Sequence, residues 1–222
     1  MLRTPEWPLW IEGKHRCLWV YGIPGAGKSI LASYLAEEIE KHCKSLSRKN
    51  SMLGSAYYYC YFGRNQDESS HFLRWVIGQL CRQANKLPEE LQDDYKSGRT
   101  PTFRSLLLIL QTVLNNFERV YVVLDAVDES MPRKDLLRVI RNLSTDTRFS
   151  NLGLMITSRE YIDIEEELET CSIPISMSNL FVEEDIRTLV KSTVQSDTKY
   201  QRWPEDLKWE MQDTIPKRAK GM

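Results

Sequence analysis

The chain has 222 residues, 27% of them charged, with a formal net charge of −1. That length suits one large domain, or one domain with a small appendage. The near-zero charge gives no global basic field for nucleic acid, and no apolar stretch approaches the ~18 residues of a membrane span. The first residues, MLRTPEWPLWIEGKHR, read neither as a signal peptide nor as an Arg/Ser-rich transit peptide. Cys17, Cys43, Cys60, Cys81 and Cys171 form no C-x-x-C pair, and most lie in apolar runs. They are expected to be reduced core residues of an intracellular, cytoplasmic protein. His15, His42 and His71 form no cluster with metal-ligand spacing.

Strand and helix signals alternate along the chain, the pattern of a parallel sheet covered by helices. The first strand is expected at Leu18–Tyr21 within the apolar run Cys17–Tyr21, followed by a helix over Ser29–His42. Lys44–Asn50 is polar and basic and reads as a loop. Ser55–Phe62, SAYYYCYF, has the aromatic enrichment of a strand. His71–Asn85 has helical periodicity through Phe72, Trp75, Val76, Gln79 and Leu80. Pro88 opens a short acidic helix at Glu89–Lys96, and Thr102–Phe117 is a second helix with an apolar stripe. Val120–Asp125 is a buried strand, and Pro132–Ser144 a helix with proline in its first turn. Leu152–Thr157 is a further strand and Ser172–Ser176 a short fifth. From about residue 178 the signals are helical only, at Glu183–Thr193 and Trp203–Ile215. The expected division is therefore a core at 1–177 and the start of a helical subdomain at 178–222. The last residues, KRAKGM, carry no stop signal, so a larger parent protein is expected.

Residues Gly22 to Ser29 read GIPGAGKS, the G-x-x-x-x-G-K-[ST] pattern of a P-loop. Glycines at 22, 25 and 27 are expected to let the backbone take positive φ and approach a phosphate closely. Loop amides and the following helix N-terminus form an anion cradle. Lys28 would reach the β- and γ-phosphates, and Ser29 would offer its hydroxyl to Mg²⁺. The candidate nucleotide-binding residues are Gly22, Ile23, Pro24, Gly25, Ala26, Gly27, Lys28, Ser29 and Ile30.

Asp125 ends the run VYVVLD, at the strand tip where open parallel sheets bind ligands. Behind a P-loop such an acid holds Mg²⁺. Asp128 and Glu129 follow, and either could orient or deprotonate an attacking water. The strand LGLMIT runs into Ser158-Arg159-Glu160, so Arg159 is a candidate to meet a γ-phosphate. The tyrosines of residues 57–61 alternate along a strand and read as packing rather than a platform for nucleic acid. Trp7, Pro8, Leu9, Trp10 and Ile11 could cover a nucleotide base or clasp the sheet. Lys217, Arg218 and Lys220 read as a solvated helix face.

Three segments together resemble the NACHT domain of STAND-class P-loop NTPases, most of all the fungal NOD-like proteins: LWVYGIPGAGKSILASYL, VVLDAVDES and LMITSRE. In that family a small residue follows the Mg²⁺-associated aspartate, and another acid lies three positions beyond it. Ala126 and Asp128 occupy those places. The resemblance spans about residues 7 to 222 and implies a three-layer αβα fold with strand order 5-1-4-3-2, followed by a helical subdomain and a winged helix. It also implies a switch that rests with ADP or GDP and is opened by ATP or GTP with Mg²⁺ to self-associate. Effector and ankyrin or WD repeat domains would lie outside this chain, and the roles would be self/non-self recognition and programmed cell death. The winged-helix histidine that touches the β-phosphate in that family has no counterpart here, so weak binding and slow hydrolysis are expected of the isolated domain.

The main rival is a AAA+-like turnover ATPase, which would want an acid directly after Asp125, where Ala126 stands. A kinase would want an acceptor pocket with lid arginines, and no such cluster is visible. A scaffold with a vestigial site fits poorly with intact motifs. A Ras-like GTPase would need N-K-x-D, but Asn85-Lys86 is followed by Leu87 and Pro88. Adenine versus guanine is left open, because no base-reading motif is present.

Overall fold

The structure is a computed structural model that describes residues 3–47, 52–178 and 180–219. Its elements, in chain order, are α1 (Glu6–Ile11), β1 (Cys17–Tyr21), α2 (Lys28–Leu46), β2 (Leu53–Tyr59), α3 (Ser69–Ala84), α4 (Glu89–Lys96), α5 (Phe103–Leu114), β3 (Arg119–Asp125), α6 (Lys134–Thr145), β4 (Leu152–Ser158), α7 (Ile162–Leu168), β5 (Ile173–Ser176), α8 (Leu180–Ser196), α9 (Thr198–Gln201) and α10 (Glu205–Ala219). The five strands form one sheet in the order β2-β3-β4-β1-β5, and every pairing is parallel. This is the expected order 5-1-4-3-2 counted from the other edge.

Side chains alternate across the sheet. Cys17, Trp19, Val122, Leu124, Leu154 and Ile156 face a core shared with α3, α5, α6 and α7. Leu18, Val20, Tyr121, Val123 and Met155 face a second core under α1 and α2. All seven residues of the central strand β4 are buried, as a parallel strand covered on both faces requires. Among the described residues, no helix is long and apolar enough to cross a membrane.

Several boundaries differ from the sequence reading for identifiable reasons. Strand β2 stops at Tyr59, not Phe62, because its last partner is Asp125, the end of β3. Beyond it, Phe62–Arg64 form a 3-10 turn. Helix α2 runs on to Leu46, into the stretch expected to be loop, while residues 48–50 of that stretch lie outside the described residues. Lys220 and the last two residues do too. Helices α1, α7 and α9 were not expected, being only 6, 7 and 4 residues long.

Residues 7–11 clasp the sheet rather than reach toward the P-loop. Trp10 is wholly buried, with its ring 5.2 Å from Tyr121. Arg119 Nη2 donates to the Trp10 carbonyl at 3.2 Å and Tyr121 Oη to that of Ile11 at 2.8 Å. Arg119 opens β3, so this contact lies at the strand end opposite the P-loop. Truncating such a buried tryptophan to alanine costs about 3–5 kcal/mol.

The outer edge of β2 has an unusual partner. The helical periodicity of α3 runs through Trp75 and Gln79; Trp75 is half exposed and Gln79 faces the strand. Gln79 donates to the Tyr57 carbonyl at 2.8 Å and accepts the Tyr57 N–H at 3.3 Å. Gln83, one turn later, does the same to Ser55, at 2.6 and 3.0 Å. Two side-chain amides thus occupy the backbone groups that a sixth strand would use, which protects an otherwise open edge. A Gln79→Ala/Gln83→Ala double variant should self-associate with rising concentration in sedimentation velocity, under nucleotide-free conditions where the wild type does not. Unchanged sedimentation would show that the edge is guarded by something else.

Candidate functional site

The P-loop follows β1 directly. Gly22 has ordinary φ, contrary to expectation, and its small size serves packing. A Cβ there would lie 2.8 Å from the Cβ of Met177, which leaves β5 alongside. Positive φ is confined in this loop to Gly25 and Gly27, at 84° and 80°. Gly27 is the N-cap residue of α2, which has no side-chain cap, so backbone amides open the helix. A 19-residue helix presents its positive dipole end there. The loop therefore has the backbone form and donor set that a phosphate chain requires. Ser29 is exposed on the first turn, beside Lys28. The Ile30 side chain is 77% exposed, so only its backbone can belong to the cradle.

Lys28 Nζ donates to the carbonyls of Gly22 and Ile23 at 2.8 and 2.9 Å. Burial pushes this ammonium below the ordinary lysine value, while Asp128 and Asp125 pull it back up and Arg159 pushes it down further. Lys28 therefore lies within electrostatic reach of all three.

The strand order explains the convergence. Strand β4 lies between β1 and β3, with Val20 opposite Thr157 and Leu124 opposite Ile156. Asp125, the last residue of β3, and Thr157, the last but one of β4, consequently lie side by side on neighbouring strands. The Thr157 hydroxyl donates to Asp125 Oδ1 and accepts the Ala126 N–H at 3.0 Å. With that lone pair used by Ala126, the hydroxyl proton points at the carboxylate. Ala126 takes the left-handed conformation, φ 58°, costly for a non-glycine residue. It turns the chain into the 3-10 turn Val127–Glu129.

The two acids of that turn have different partners. Asp128 Oδ1 accepts the Arg159 N–H at 3.0 Å, and its Oδ2 lies 3.3 Å from Arg159 Nε. Glu129 Oε2 accepts the Phe62 N–H at 3.3 Å, from the loop after β2. Of the two, Asp128 is the acid grouped with Lys28 and Arg159. Cys60 lies near Glu68, Asp125 and Asp128. Burial, reinforced by Glu68 and Asp125, pushes its thiol up. Burial likewise holds Cys17 at about 12 and Cys43 at about 11. All five cysteines are free thiols.

The family model for the N-terminal region of nephrocystin 3 matches residues 1–159, from the first clasp to the tip of β4. The chain belongs to the nephrocystin 3 N-terminal family. Its three motifs make it a NACHT-type member of that family. It is 25% identical to the vegetative incompatibility protein HET-E-1 of Podospora anserina, over 88% of this chain and 15% of that protein. Among solved structures, it resembles Cdc6p of Pyrobaculum aerophilum, with a TM-score of 0.51 and 15% identity over 88% of this chain and 50% of that one. It also resembles a Walker-type ATPase of Pyrococcus abyssi, with a TM-score of 0.52 and 14% identity over 97% of this chain and 63% of that one. These two likenesses concern the fold, that of P-loop ATPases. The chain spans less than two thirds of each of these relatives.

Sequence reasoning named the acids and the arginine of this nephrocystin-type domain but not Thr157. The signal was available: a polar residue closing an apolar strand whose neighbour ends in aspartate. Thr157 and Asp125 are both buried. Thr157→Val should therefore lower the unfolding free energy by about 1–3 kcal/mol in a denaturant melt, the cost of stripping a donor from a buried acceptor. Thr157→Ser should keep most of that stability. Equal stability of the valine variant would contradict the role given to the hydroxyl.

Proposed function

We propose that this chain is the nucleotide-binding switch of a larger signalling protein of the fungal NOD-like type, and that it hydrolyses ATP or GTP slowly. The observation that carries this reading is the strand order that brings the P-loop with Lys28, the Asp125 end of β3 and the Asp128–Arg159 pair to one end of the sheet. In it, the amides of residues 22–30 and Lys28 hold the phosphates, and Ser29 and Asp125 hold Mg²⁺. The metal would neutralise charge on the β- and γ-phosphates. Asp128 orients the attacking water, with Glu129 as the second acid. Arg159 meets the γ-phosphate.

The ion pair between Asp128 and Arg159 supports a switch rather than a fast enzyme. A triphosphate must compete with Asp128 for Arg159, whereas a diphosphate leaves the pair undisturbed. Bound nucleotide state thus becomes a state of the loop after β4. Residues 178–222 begin a helical subdomain in this reading, and opening allows self-association through the domain. The likeness to a vegetative incompatibility protein supports a role in self/non-self recognition and cell death, in the cytoplasm, with effector and repeat domains elsewhere in the parent protein. Neither nucleic acid nor membrane enters the reading.

Lys28→Ala should weaken triphosphate binding about 100-fold, the loss of strong charge-assisted bonds to phosphate. Titration with fluorescent ATP and GTP analogues measures this, and retained affinity would contradict the reading. Asp125→Asn should weaken binding more with Mg²⁺ present than with the metal chelated. Steady-state turnover should stay below the order of 1 s⁻¹, and a faster rate would favour a AAA+-like turnover ATPase.

A further inference from the structure

The loops after β3 and β4 are laced together twice, with opposite polarity. Asp128 of the first loop pairs with Arg159 of the second. Five residues later Arg133, which precedes α6, pairs back with Asp163, in the first turn of α7. The second pair is bidentate: Nε to Oδ2 at 2.7 Å and Nη2 to Oδ1 at 2.9 Å. The Arg133 side chain is only 18% exposed, and its guanidinium lies 4.9 Å over the ring of Tyr161. Its remaining arm, Nη1, donates to the backbone carbonyl of Asp128 at 3.2 Å. One side chain therefore holds Asp128 from behind, stacks on the loop that carries Arg159, and clamps the helix that follows. Most single exposed pairs matter little, but a fork-to-fork geometry with a stacked, shielded arginine is the exception. Consistent with that contact, Arg133 holds the Asp163 carboxyl below the usual carboxylate range.

We infer that Arg133 and Asp163 are positioning residues that keep Asp128 and Arg159 in register when a triphosphate draws Arg159 away, and that carry the nucleotide state to α7. This rests on the proposed nucleotide switch. Without the second pair, the Arg159 loop loses its anchor once the Asp128 contact opens. The γ-phosphate contact then has to order a free loop and is weakened. Contacts to the α- and β-phosphates come from the P-loop and do not pass through these residues. The pair should therefore govern discrimination between triphosphate and diphosphate rather than binding as such.

The test measures dissociation constants for the Mg²⁺ complexes of adenosine and guanosine β,γ-imido triphosphates and for ADP and GDP. Wild type, Asp163→Asn, Asp163→Glu and Arg133→Lys are compared. A wild type that binds none of these overturns the switch itself and this inference with it. Where the wild type binds, Asp163→Asn should weaken the triphosphate analogue about tenfold and leave the diphosphate within about twofold. Asp163→Glu should restore most of the preference, and Arg133→Lys, which keeps charge but loses the fork, should fall between. An unchanged preference in Asp163→Asn overturns the inference and leaves nucleotide binding standing. Parallel loss of both affinities together with thermal stability does the same, since it marks a pair that only supports the fold.

Discussion

Everything at the candidate site depends on β4 lying between β1 and β3. Parallel pairing brings three strand ends to one edge: the P-loop from β1, the Thr157 tip from β4 and Asp125 from β3. Thr157 can fix Asp125 only because the register sets Leu124 against Ile156. The same register lets the turn through Ala126 present Asp128 to Arg159. A one-residue slip would move Thr157 to the other face and break all of these contacts at once.

The two cationic groups of the site have protein acceptors of different strength. Lys28 rests on two neutral carbonyls, and Arg159 on a single carboxylate at 3.3 Å. Phosphate oxygens accept stronger, charge-assisted bonds. Exchange of carbonyls for phosphate is thus favourable at Lys28. At Arg159 one anion replaces another, so the balance is closer. In the proposed reading, that difference would make the P-loop the binding element and Arg159 the sensing element. A closely balanced contact is what a switch needs, because a small differential affinity can then move the population.

Much of this was legible in the sequence, and the exceptions share a cause. The five strands and the long helices are apolar and periodic enough to be read directly. Short α1, α7 and α9 carry too few turns for a periodic signal, and exist through tertiary contacts such as those of Trp10 and of Asp163. The end of β2 was overrun because SAYYYCYF continues in composition where the partner strand has already ended. The P-loop and the acidic tip stood out because rare residue types fall at fixed spacing. Thr157, Arg133 and Asp163 did not, since their meaning arises only when separate strand ends meet. Helical periodicity placed Gln79 in α3, but only the fold shows that the helix turns it to the edge of β2.

The most direct measurement is an experimental structure of this domain with Mg²⁺ and a non-hydrolysable triphosphate. The account predicts Lys28 Nζ off the Gly22 and Ile23 carbonyls and on the phosphates, with Arg159 released from Asp128 toward the γ-phosphate. A bound nucleotide that leaves Lys28 on its carbonyls and the Asp128–Arg159 pair intact would contradict it.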